Sequence, residues 1–236
     1  MRAAAALPTL VAGPLLLALA ACAAPAGEQA PAAEPRAAVA DEEGQVVAEG
    51  PTGGLSEYDV EQTFGGLQPE IRRCVEPRAA QLPALGGTLE LVLRIGRDGR
   101  ALDAFFRHSS LGDREAERCI LAAVFARRWP RPLGGNGTAE HRFDVDPAQP
   151  PVERDAGRLP HALGAIRAAT ARCIARVRGR FVATLYLGRD GTVLAAGVAV
   201  PSAAGERQAD CVAEALLGLR LWRQKRAVTK ITARLR

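Results

Sequence analysis

From Thr88 to Ile95 apolar and polar residues alternate, placing Leu89, Leu91, Leu93 and Ile95 on one face of a β-strand. Gly96-Arg97-Asp98-Gly99 follows as a hairpin turn, because Asp-Gly accepts positive φ. The returning strand sets Leu102, Ala104 and Phe106 on one face. The same pattern recurs 92 residues later: Phe181, Ala183, Leu185 and Leu187 alternate, Gly188-Arg189-Asp190-Gly191 turns, and Leu194, Ala196 and Val198 return. Helical spacing flanks each hairpin. Ser56 reads as an N-cap ahead of Val60, Phe64, Leu67, Ile71 and Val75, with Pro69 expected to kink or restart that helix. A second helix over about Asp113–Arg128 turns Ala116, Cys119, Ile120, Ala123 and Val124 inward. In the later copy the matching sets are Leu159, Leu163, Ile166, Cys173, Ile174 and Val177, then Cys211, Val212, Ala215, Leu216 and Leu219. A last strand closes each copy, over Ala139–Val145 and Ala227–Leu235.

The element order is helix, strand, strand, helix, strand, twice. It predicts an α+β fold, each copy a three-stranded antiparallel sheet with two helices on its apolar face. Gly87, Ser110 and Cys119 recur at the same offset as Gly179, Ser202 and Cys211. Cys74 and Cys173 are 99 apart, which seven extra residues between Pro77 and Gly86 explain. Such phasing argues for a duplication. Each copy carries one cysteine on the inner side of each helix, and helices on one sheet face are neighbours. The repeat therefore selects Cys74–Cys119 and Cys173–Cys211 among the three connectivities open to four cysteines; reduced, buried thiols are the alternative.

Residues 1–22 read as an export signal. Arg2 precedes an apolar run of small residues broken by Pro8 and Pro14, too short for a transmembrane helix. The run ends in Leu19-Ala20-Ala21-Cys22, which resembles a bacterial lipoprotein signal. That resemblance implies an acylated (palmitate-type) Cys22 as the mature N-terminus, and an oxidising compartment in which disulfides persist. With Ala23 rather than Asp after the cysteine, it implies the outer membrane. Residues 23–52 are Ala/Pro/Glu/Gly-rich and lack the apolar residues for a core, so they are expected to be a disordered tether spanning roughly 30 Å. The remaining boundaries are a first copy at 53–147, a linker at 148–157 and a second copy at 158–236.

Composition then narrows the chemistry. Five cysteines and three histidines leave little for a metal centre, and none is expected. His108-Ser109-Ser110 sets a base beside hydroxyls, but neighbours on a strand point apart and the second copy has Val200-Pro201-Ser202 there. His141 falls on the inward phase of its strand and His161 near a helix start. Gly134-Gly135-Asn136-Gly137 precedes a strand, not a helix, and reads as a turn rather than a phosphate cradle. No enzyme, catalytic residue or cofactor is expected. Charge is more informative. Residues 52–146 hold 13 basic and 14 acidic side chains, whereas 157–236 hold 15 basic and 4 acidic. A binding face of Arg172, Arg176, Arg178, Arg180, Arg220, Arg223, Lys225 and Arg226 is the candidate site, for an anionic lipid, lipopolysaccharide or wall glycan. Nucleic acid is not expected, since aromatics are 4% and no reading motif is present.

The first copy resembles the C-terminal domain of the myxobacterial gliding-motility AgmX/PglI family, itself similar to the TonB C-terminal domain. The likeness runs through Ile71-Arg72-Arg73-Cys74, Leu93-Arg94-Ile95-Gly96-Arg97-Asp98-Gly99, Ser109-Ser110-Leu111-Gly112-Asp113, Cys119-Ile120, Trp129-Pro130-Arg131-Pro132-Leu133-Gly134-Gly135 and Phe143. The second copy looks like a degenerate version, with Leu221-Trp222-Arg223-Gln224 in place of the Trp-Pro segment. The resemblance implies a TonB-like, non-enzymatic envelope adaptor or scaffold that binds an envelope protein, linked to gliding or envelope transport. The chain departs from TonB in having a lipid-anchor signal and a short tether, so energy transduction by this chain alone is not implied.

Overall fold

The computed structural model describes residues 53–223 and 228–236. The signal, Cys22 and the tether lie outside the described residues, as do Lys225 and Arg226.

The first half runs α1 (Glu57–Gly65), α2 (Gln68–Gln81), β1 (Gly87–Ile95), β2 (Ala101–Ser109), α3 (Arg114–Ala126) and β3 (Gly137–Val145). The Ser56 side chain accepts the Asp59 N–H at 3.3 Å and starts α1, and Asp113 caps α3 by accepting the Ala116 N–H at 2.9 Å. Pro69 restarts the helix as expected: α2 begins at Gln68 with the proline in its first turn, where a missing N–H costs nothing. The extra residues of this half mostly prolong α2 beyond Cys74, to Gln81, whereas the matching helix ends one residue after Cys173. The sheet order is β2-β1-β3, antiparallel throughout.

The second half runs β4 (Val152–Asp155), a short 3-10 turn, α4 (Pro160–Ile174), β5 (Val182–Leu187), β6 (Val193–Ala199), α5 (Ala203–Glu206), α6 (Ala209–Leu217) and β7 (Thr229–Arg234). Its sheet departs from the expected three strands. Val152–Asp155, within the span read as a connection, pairs in parallel with β7 and gives a four-stranded mixed sheet, β4-β7-β5-β6. One consequence is that the last strand, which sequence pattern would leave as an edge, is covered.

Both hairpins also depart from strict alternation, and at the same place. Leu102 and Leu194 are 46% and 44% exposed instead of inward. A register shift beside each turn, between Arg94 and Ile95 and between Tyr186 and Leu187, loops the leucine out of the ladder. The recurrence extends to the tryptophans. The Trp129 carbonyl oxygen would lie 2.5 Å from a Cβ on Gly99, and that of Trp222 2.7 Å from one on Gly191, so both positive-φ turn glycines are needed for the same close approach.

Two disulfides tie the helices, Cys74–Cys119 and Cys173–Cys211. In the first half α1, α2 and α3 bury Val60, Phe64, Ile71, Ile120 and Val124 against Leu89, Leu91, Leu93 and Ile95. The second core joins Ile166, Val212 and Leu216 to Phe181, Leu185, Val198 and Ile231. The two sheets differ in what covers their other face. Thr184, Tyr186, Ala195 and Ala199 are also buried, and Tyr186 and Ala195 belong to the first half's core. β5 and β6 are thus buried on both faces, one of them against the first half, whereas β7 leaves Thr232 and Arg234 exposed.

Candidate functional site

Three features have the chemistry to bind or respond: a carboxylate cluster where the halves meet, an unpaired strand edge, and the arginines of the second half.

The cluster is built from the start of α3. Glu117 is fully buried, accepts the Ser109 hydroxyl at 2.5 Å, and accepts the Val198 N–H of β6 at 3.4 Å. Burial pushes the Glu117 carboxyl up to about 8, against the Ser109 hydrogen bond and the Arg114 charge, so the group is protonated at neutral pH. A Cβ on Gly197 would lie 2.4 Å from Glu117 Oε1, so the glycine is what admits this carboxyl. Around it, Arg114 pairs with Glu206 at 2.6 Å and Asp210 at 2.8 Å. Burial also raises the Glu206 carboxyl, although Arg114 opposes it. Asp113 accepts the Arg78 Nε at 2.9 Å. A second tie lies at the end of the first-half insertion. The Tyr186 hydroxyl donates to the Gly86 carbonyl at 3.0 Å and accepts its N–H at 3.2 Å, and Lys230 Nζ donates to the same carbonyl at 2.7 Å. Burial pushes Tyr186 up to about 12 and Lys230 down. Glu117 and Ser109 are sealed from solvent, so they join the halves and reach no substrate.

Sequence reading missed Glu117 and Tyr186. A signal for the first was present. Adding the repeat offset to Glu117 gives Ala209, which is fully buried, and an inward position that is Ala in one copy and Glu in the other needs a polar partner. For Tyr186 the signal was the run Ala195-Ala196-Gly197-Val198-Ala199, which is apolar on both phases as doubly covered strands are.

The edge belongs to β3. The Ser110 N–H donates to the Thr88 carbonyl at 2.8 Å, so even-numbered residues of β1 point their backbone groups at β2 and odd-numbered ones at β3. The β1–β3 register has no bulge and pairs Leu91 with His141 and Val92 with Glu140. The backbone groups of Thr138, Glu140, Arg142 and Asp144 therefore face away from the sheet, with no strand against them among the described residues. The outward side chains of this sheet neutralise one another. Arg107 pairs with Glu140, Arg94 with Asp103 at 2.5 Å, and Asp144 accepts the Thr88 hydroxyl at 2.6 Å. That hydrogen bond, then Arg142, holds the Asp144 carboxyl below its ordinary range.

The sequence-selected arginines do not form one face. Arg172, Arg176, Arg178 and Arg180 lie where α4 ends and β5 begins, all exposed. Arg220 bridges to Thr192 and pairs with Asp190 at 3.1 Å beside the β5–β6 turn, with Arg223 following. The two groups are separated by the length of β5, roughly 20 Å. Elsewhere, His108 is exposed while Ser109 is buried, so they point apart. His141 stacks on Phe64 with ring centroids 4.3 Å apart and meets Glu61 at 3.2 Å, and His161 is exposed. Among the described residues no cluster of three metal-ligating side chains occurs, and no helix is long and apolar enough to cross a membrane. No protein-family model, curated protein or solved structure matches the chain.

Proposed function

We propose that the chain is a lipid-anchored cell-envelope adaptor, built from two tandem TonB-like units and tethered through Cys22 to the outer membrane, that captures an envelope protein as an added strand on β3. The unpaired edge at Thr138–Asp144 carries this reading. It is a nine-residue strand with regular outward N–H and C=O groups, and a docked strand would gain main-chain hydrogen bonds there. The outward face, with acids and arginines interspersed, suits selection by side-chain pairs rather than by net attraction. The corresponding edge of the second half, that of β7, is occupied by β4.

Glu140→Pro tests it. The substitution removes one outward N–H and no β1–β3 hydrogen bond, and proline is tolerated on an edge strand. Crosslinking in cells followed by mass spectrometry is expected to recover one reproducible envelope protein with the unmodified chain and to lose it with the proline variant. Unchanged capture by both Glu140→Pro and Arg142→Pro would overturn the reading.

A further inference from the structure

The arginines of the second half have a different relation to acid from those of the first. No Asp or Glu occurs between Asp155 and Asp190, nor after Glu214. Folding brings these two acid-free stretches together. The Arg236 guanidinium donates to the Ile174 and Val177 carbonyls, and Arg167 donates to the Arg234 carbonyl at 3.1 Å. Those two arginines are spent on the α4 C-terminus and the β7 end. Arg172, Arg176, Arg178 and Arg180 remain, exposed, with no carboxylate partner among the described residues. Their platform is fixed. Cys173 is disulfide-bonded to Cys211, Phe181 is buried, and a Cβ on Gly179 would meet Pro201 at 2.5 Å, so the loop lies close against its neighbour. Helix-end stabilisation accounts for Arg172, which sits in the last turn of α4, but not for Arg178 or Arg180.

We infer that this end of the second half is a docking surface for the phosphate-bearing face of an anionic membrane. Four unpaired guanidinium groups on a fixed loop and helix end match a field of phosphates, with bidentate geometry and no backbone rearrangement to offset. The absence of aromatic side chains among the four argues against stacking ligands. The surface is independent of the β3 edge proposed for protein capture, and independent of acylation.

The test uses the full chain as Cys22→Ser, so that no acyl chain contributes, and vesicles of phosphatidylcholine with or without one-third phosphatidylglycerol. Partition onto the anionic vesicles alone, abolished by 0.5 M salt, is expected. Arg172→Glu, Arg176→Glu, Arg178→Glu and Arg180→Glu combined should weaken it by more than about 100-fold, at roughly fivefold per basic side chain removed. Arg220→Glu with Arg223→Glu, at the other end of the sheet, should change it by less than about threefold. If the fourfold variant does not fold, Arg178→Gln and Arg180→Gln, both outside any helix, should each cost about fivefold. Equal loss at both ends would reduce the effect to net charge and overturn the inference. Binding to polyglutamate with no partition onto vesicles would overturn it in favour of an acidic protein.

Discussion

The two halves place the same hairpin, the same bulged leucine and the same helix-to-helix disulfide on opposite treatments of charge. In the first half Arg78, Arg94, Arg107, Arg127 and Arg142 each lie within reach of a carboxylate. In the second, Arg220 and Lys230 have such partners, and the α4–β5 end has none. A coding bias toward arginine would raise the count in both halves. It does not explain why acids accompany arginine in one and are missing from the other. Their burial differs too. The first sheet keeps a largely solvated face and leaves its last strand unpaired on one side, while in the second β5 and β6 are covered on both faces and the last strand is paired on both sides. The first half leaves its last strand unpaired on one side, and the second leaves arginines without carboxylates.

The largest test of this comparison is the pair of disulfides. Each closes a loop, with sequence separations of 45 and 38. Replacing either pair by alanines should cost about 4 kcal/mol in the chain-entropy account. Denaturant unfolding giving a full loss for one pair and none for the other would show that the halves are not stabilised alike. Next comes Gly197→Ala. Its Cβ would meet Glu117 Oε1 and the Asp113 backbone nitrogen, and we expect about 3 kcal/mol of destabilisation. A neutral result would mean that the halves are not pressed together there.

The pH dependence follows from Glu117. The folded chain holds this proton to about pH 8, whereas an unfolded chain releases it near its ordinary 4.5. The folded state therefore binds more protons in that window. Stability from this group is complete below pH 4.5 and falls as pH rises to about 8, by on the order of a few kcal/mol. Glu206, also raised, acts in the same direction. Glu117→Gln keeps the shape without the titration, and should flatten the profile while costing under about 1 kcal/mol at pH 7. Parallel profiles for the two proteins would contradict the assignment. The smallest effect is at the repeated bulge, where Leu102→Ser and Leu194→Ser should each change stability by less than about 1 kcal/mol. A loss of several kcal/mol at one would show that the bulges are not equivalent.

Much of each half was legible because its signals are local: alternation, turn glycines, caps and phased cysteines. The disulfide pairing was legible for the same reason, since the repeat placed one cysteine on each helix. The fourth strand was not. Val152–Asp155 is exposed and too short to show a period, and it forms a strand only because β7 offers it an edge. The burial of Tyr186 and Glu117 was not legible from a single copy either, because each depends on the other half arriving. The arginines grouped by sequence lie, where they are described, at two separate places in the second half. Arg220 is distant from β5 in sequence and reaches the β5–β6 turn only through its bridge to Thr192, which the linear chain does not show.

The most direct measurement of the central claim, that the halves bind different things, is site-specific photocrosslinking in cells from Glu140 and from Arg178. The account predicts a single protein adduct at position 140, lost when Arg142→Pro is added, and lipid adducts at position 178. The same protein captured from both positions, or none from position 140, would contradict it.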